Sequence, residues 1–169
     1  DEIRTGHLYA LPCLADCHAH VGVGSIGEMG TLADDEIRAN CVTNAWMQVE
    51  GGVLLIADKG SSSNVSLEIL EAPPETRPAM QMAGRIIAAP DGYYPGYGVE
   101  VDDAGLADAV RAACATSASW VKIIGDWPRL GVGTQANFTD GALRTAVDVA
   151  HAAGCRVAVH TMAPEGIAP

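Results

Sequence analysis

The sequence predicts an α/β fold in which parallel strands alternate with helices. Two observations carry that expectation. Five short apolar runs (Leu11–His20, Val53–Asp58, Met80–Ala89, Trp120–Gly125 and Arg156–Thr161) are branched or alternating and strand-sized. Between them lie stretches with apolar residues at i, i+3/i+4 and i+7, the spacing of one helix face. Alternation at this pitch is that of βαβ units on a parallel sheet.

Taken in order, the first run ends in Cys17-His18-Ala19-His20. The stretch Thr31–Glu50 reads as a helix, opened by the capping signal Thr31-Leu32-Ala33-Asp34 and stopped by Gly51-Gly52. Between them, Gly22-Val23-Gly24-Ser25-Ile26-Gly27 matches the dinucleotide fingerprint G-x-G-x-x-G. Cys17–His20 part the strand core from that first glycine, and Asp58 is too distant to serve as the acidic residue expected roughly 20 positions on. Glycines in a loop over a metal site account for the same residues. The second run is followed by Ala72–Pro78, too rich in proline for a regular helix. The third leads into the Gly/Tyr-rich loop Pro90–Gly98. A helix over Asp103–Thr116 buries Leu106, Val110, Ala113 and Cys114. The fourth run is followed by a loop, Asp126–Phe138. The helix Asp140–Ala153 buries Leu143, Ala146, Val147 and Ala150, and Gly154 stops it before the fifth run.

The 169 residues match one domain in size. With 49% hydrophobic and 18% charged residues and a mean hydropathy of +0.15, the chain is not disordered. Aromatics are only 5%, so Ala, Val, Leu and Ile must supply the core. Ten basic against 21 acidic residues leave a net charge of −11, which argues against nucleic acid or an anionic membrane as partner. No apolar run approaches the roughly 20 residues of a membrane span. Five scattered cysteines and the polar opening Asp1-Glu2-Ile3-Arg4 fit a reducing, cytoplasmic setting.

Candidate chemistry gathers at strand ends. His18 and His20 are two apart on a strand, so their imidazoles share a face and suit a divalent metal such as zinc; two surface histidines is the plainer alternative. Lys122, one of two lysines, lies inside the apolar Trp120-Val121-Lys122-Ile123-Ile124. Burying its ammonium is costly unless it is paired, for instance with Asp126, or chemically altered. His160 closes the fifth run as a ligand or a structural histidine. Asp58 either orients a ligand or serves a turn. Cys13 and Cys17 lie about 13 Å apart on an extended strand, too far to share one zinc, which leaves them to apolar packing.

The chain as a whole resembles the amidohydrolase superfamily, in the branch of Xaa-Pro dipeptidases and imidazolonepropionases. Leu11–His20 is similar to that family's opening "LPGLIDCHVH", and Gly52–Gly60 to its second strand, "GVTTVRDLG". Met82–Tyr93, Trp120–Ile123 and Ala150–His160 follow as the third, fourth and fifth strands, in order. The resemblance implies a partial (β/α)8 TIM barrel, strands one to five with their helices, all 169 residues forming the N-terminal part of the catalytic domain. The small β-domain and strands six to eight would lie outside it. It implies His18 and His20 as ligands of one metal, His160 as ligand of a second, and a carbamylated Lys122 bridging both. The implied cofactor is one or two divalent ions, zinc first. The implied reaction is attack of metal-activated water on the C–N bond of an amide, peptide, urea or carbamate. Tyr93, Tyr94 and Tyr97 become substrate-loop candidates and Asp58 a residue supporting the ligands.

There are departures from the family pattern. Cys13 and Ala15 replace Gly and Ile, Ala57 replaces a common Arg, and Tyr97 stands near a loop histidine of many relatives. Two rivals remain: a mononuclear imidazolonepropionase- or deaminase-type hydrolase with unmodified Lys122, and a non-catalytic flavodoxin-like five-stranded binding module. The expected partners are a small-molecule or peptide-like substrate, and a second copy or the remaining strands of a barrel. The sixth-strand His and eighth-strand Asp of the family have no counterpart here, so the 169 residues alone are expected to be inactive.

Overall fold

The computed structural model describes residues 6, 11–25, 32–116 and 118–164. Its elements are β1 (Leu14–Ala19), α1 (Asp34–Glu50), β2 (Val53–Asp58), β3 (Ala79–Met82), β4 (Ile87–Ala88), β5 (Val99–Glu100), α2 (Asp103–Cys114), β6 (Trp120–Ile124), β7 (Asp126–Arg129), β8 (Gly133–Ala136), α3 (Asp140–Ala152) and β9 (Arg156–His160). Short 3₁₀ helices cover Asn64–Glu71 and Pro74–Thr76.

The fold is α/β with parallel sheets. One sheet has the order β1-β2-β3 and a second β5-β4-β6-β9, all parallel, and bridges Ser61–Arg85 and Ala83–Trp120 link the neighbouring segments. Strand β2 thus lies between β1 and β3. A flavodoxin-like sheet places its first strand between the second and third, so this order overturns that alternative.

The third apolar run is not one strand. It breaks at Gly84 because the Arg85 N–H donates to the Asn64 side-chain oxygen (2.7 Å), while Ser61 exchanges backbone bonds with Gly84 and Ile86. The expected loop Asp126–Phe138 contains an antiparallel hairpin, β7–β8, with Trp127 opposite Gln135 and left-handed Gly131 and Gly133 at its turn. Thr31 lies outside the described residues. Helix α1 starts after Ala33, whose N–H donates to the Glu36 carboxylate at 2.8 Å. Asp102 and Thr139 cap α2 and α3 through their side-chain oxygens, and Gly154 takes the left-handed conformation of a helix stop.

Two apolar cores anchor the sheets. Ile37, Cys41 and Ala45 of α1 pack with Ile56 and Met82, while Leu106 and Val110 of α2 and Ala146 and Ala150 of α3 pack with Val121 and Ile123. Cys13 and Cys17, expected to pack, are exposed. The reason is that β1 pairs with β2 alone among the described residues. Other strand residues are uncovered too: Leu14 (59% exposed), Leu54 (46%), Leu55 (39%) and Val159 (42%).

Leu106 is fully buried. Leu106→Ala should cost about 2–5 kcal/mol, read as a lower midpoint in denaturant unfolding; an unchanged midpoint would contradict this packing.

Candidate functional site

Pairing of β6 with β9 sets Lys122 opposite Ala158 and Ile124 opposite His160. Alternate strand residues share a face, so Lys122 and His160 project to the same side of the sheet. At the end of β1, the His18 and His20 rings stand 5.3 Å apart between centroids and tilt by 55°. The ladder between β1 and β2 is irregular there, and the His18 N–H turns to the Asp16 carboxylate at 2.9 Å.

Asp58 ends β2 only 1% exposed. Its carboxylate accepts the N–H groups of Val21 (2.7 Å) and Gly60 (2.8 Å). The Gly60 carbonyl in turn lies 2.8 Å from His20 Nδ1. A carbonyl only accepts, so Nδ1 carries the proton and Nε2 keeps the lone pair, the tautomer a metal ligand needs. Asp58 therefore serves a turn and, through Gly60, a histidine. Burial pushes its pKa up, against the two N–H bonds and the nearby His20 and Lys59.

His160 Nε2 is buried with no hydrogen-bond partner among the described residues. Burial first, then the charge of Lys122, lowers the His160 pKa, with Asp126 opposing; burial and Lys122 likewise lower that of His18. Both imidazoles are thus biased to the neutral, ligating form. Lys122 is buried, and desolvation and the charge of Lys59 lower its pKa. Among the described residues no three His, Cys, Asp or Glu side chains gather into a metal-binding group by themselves.

Asp126 is not the partner of Lys122. Its carboxylate accepts from Thr161 Oγ1 (2.6 Å) and from the N–H groups of Met162 (2.8 Å) and Ala163 (3.1 Å), fixing the chain just beyond His160. Burial would raise its pKa, but these bonds and His160 outweigh it and the net shift is downward.

Tyr93, Tyr94 and Tyr97 form one aromatic group with Trp127, which packs 5.6 Å from the His160 ring. Tyr97 is only 3% exposed, and its hydroxyl has no partner among the described residues. Burial pushes the Tyr93 hydroxyl up to about 12. Sequence reasoning missed Trp127, because the hairpin that aims it was read as a loop. It also missed Lys59, whose Nζ is buried without a hydrogen-bond partner among the described residues and sits 3.6 Å from the centroid of the Trp120 ring. Its signal was present: a lysine directly after an apolar strand in a chain with only two.

No family model matches the sequence. Uncharacterized proteins of Mycobacterium tuberculosis and Mycobacterium bovis are 34% identical over 162 residues, covering 94% of this chain and 41% of their own length. The chain therefore spans less than half of these relatives. A Xaa-Pro dipeptidase solved with bound methionine superposes with a TM-score of 0.73 at 24% identity, covering 92% of this chain and 44% of its own. An amidohydrolase superposes with a TM-score of 0.69 at 18% identity, covering 98% of this chain and 49% of its own. The likeness shows a shared α/β fold.

Because the folded-state pKa of Asp126 is depressed, its stabilisation is present above the unfolded carboxylate range and lost as pH falls through the folded value. Asp126→Asn in the full-length protein should cost about 1–3 kcal/mol at neutral pH, and the difference from wild type should shrink below about pH 4. Denaturant unfolding at both pH values measures it; a difference independent of pH contradicts the assignment.

Proposed function

We propose that these residues form the metal-binding part of an amidohydrolase-superfamily (β/α)8 barrel that hydrolyses a C–N bond in an amide, peptide, urea or carbamate. The observation that carries this reading is Lys122, buried in an apolar strand on the same face as His160, whose buried Nε2 has no hydrogen-bond partner among the described residues. His18 and His20 would hold one divalent ion and His160 a second. Lys122 would bridge them as a carbamate, formed when its neutral Nζ bonds the carbon of CO2 and releases a proton. Burial and the charge of Lys59 lower the Lys122 pKa and so favour the neutral amine. Imidazole nitrogens and a carbamate oxygen suit zinc. When bound, the metal lowers the pKa of water toward about 7 and polarises the scissile carbonyl.

The chain's own residues do the positioning. Asp58 holds Gly60, and Gly60 holds the His20 tautomer. Asp126 pins residues 161–163 behind His160, and Trp127 shields one side of that imidazole. The uncovered Leu55 and Val159 fit a barrel whose remaining strands come from the rest of a longer protein, together with the sixth-strand His and eighth-strand Asp of the family.

With the full-length protein and a panel of N-acyl amino acids and dipeptides, chelation should abolish hydrolysis and zinc should restore it. Lys122→Ala should lower kcat by at least about 10²-fold, the loss on removing one preorganised electrostatic group. Acetate or propionate, standing in for the carbamate, should restore part of it. Hydrolysis that survives metal removal contradicts the metal reading. Full activity of Lys122→Ala with one metal per chain points to the mononuclear form instead.

A further inference from the structure

The chain holds three Trp, four Tyr and one Phe, and half of these eight rings meet at one place. Tyr93 lies 4.6 Å from Trp127 and 5.0 Å from Tyr94, and Tyr94 lies 5.2 Å from Trp127, with interplanar angles of 64–70°. Such edge-to-face contacts brace the rings against one another. The group has two layers. Tyr97, Ile86, Ala88 and Ile124 beneath are buried, whereas Tyr93, Tyr94 and Trp127 are only half-buried. The outer layer thus keeps part of its surface exposed, and its Trp127 lies 5.6 Å from the His160 ring.

The wall is also held rigid. Trp127 sits in the β7–β8 ladder opposite Gln135. Asn137 donates through Nδ2 to the carbonyls of Gly92 (2.8 Å) and Ile124 (2.9 Å), tying the tyrosine loop, the hairpin and β6 together. Gly92 permits this approach, since a Cβ there would meet the Asn137 side chain. In a chain that builds its cores from aliphatic residues, rings concentrated and cross-braced beside a ligating imidazole mark a binding surface.

We infer that Tyr93, Tyr94 and Trp127 form a subsite for an aromatic ring of the substrate, next to His160. The inference rests on the hydrolase reading above and names the substrate class: amides carrying a flat aromatic group on one side of the scissile bond. The three rings lie over apolar and aromatic residues, Ile86, Ala88, Tyr97 and Ile124, so the subsite selects by stacking and apolar burial.

The test uses the full-length protein with N-benzoylglycine, N-acetylphenylalanine and N-acetylglycine, which place a ring on the acyl side, on the amine side, or nowhere. The better ring substrate should exceed N-acetylglycine in kcat/KM by at least about tenfold. Trp127→Leu should bring that ratio close to one, lowering kcat/KM for the ring substrate severalfold more than for N-acetylglycine, and Trp127→Phe should keep most of the preference. No ring preference, or equal losses on both substrate types, overturns the subsite. Binding of p-cresol, read by saturation-transfer NMR, does not depend on turnover. It should be clear in wild type and Trp127→Phe and severalfold weaker in Trp127→Leu. If none of the three amides is hydrolysed, p-cresol decides the subsite alone: binding lost in Trp127→Leu supports it, and absent or unaltered binding overturns it.

Discussion

A buried carboxylate joins the first two strands and everything near the histidines follows from it. Asp58 is taken out of water at the end of β2, which raises its pKa and costs free energy that only good hydrogen bonds offset. The Val21 and Gly60 N–H groups supply those bonds. One bond closes the loop leaving β1, and the other shapes the turn leaving β2. Gly60 adopts a left-handed conformation (φ +95°), and a Cβ there would lie 2.5 Å from the Gly84 carbonyl oxygen. With its N–H on Asp58 and its carbonyl at His20, Gly60 transmits the position of one strand to the imidazole of the next. The same turn reaches β3 through the Ser61–Gly84 backbone bond.

The treatment of cations is the second constraint. The chain has only two lysines, and both are buried near the strand ends that carry the histidines. Lys59 lies over the Trp120 ring, which offers its π face in place of a hydrogen-bond acceptor. Lys122 is flanked in sequence by the buried Val121 and Ile123. Burial first, and then the charge of Lys59, disfavour the charged form of Lys122. A neutral amine in a dry setting is a nucleophile, and that makes it more than a misplaced surface residue.

Much of this was legible in the sequence because local and global preferences agree. Val53–Asp58 is continuous, branched and bounded by glycines, and it forms the strand expected. Periodicity placed Leu106, Val110, Ala146 and Ala150 correctly on the buried faces of α2 and α3, but it named Val147 where Val149 packs on the core. The third strand was misread because its interruption comes from Asn64, some 20 residues upstream, which no local pattern reveals. Trp127-Pro128-Arg129 has a proline and a charge where a strand signal would need branched residues. The hairpin therefore appeared only once Asn137 and Gln135 found their partners. Cys13 and Cys17 were misjudged because strand periodicity says which face a residue takes, not whether anything covers that face.

At the heart of the proposed site, Lys122 would carry a carbamate between metals held by the histidines. NMR of the full-length, zinc-loaded protein equilibrated with carbonyl-labelled bicarbonate tests it most directly. The account predicts a protein-bound carbamate resonance that is absent from Lys122→Arg and disappears when metal is removed. A zinc-loaded, active enzyme with no such resonance, or with the same resonance in Lys122→Arg, would contradict it.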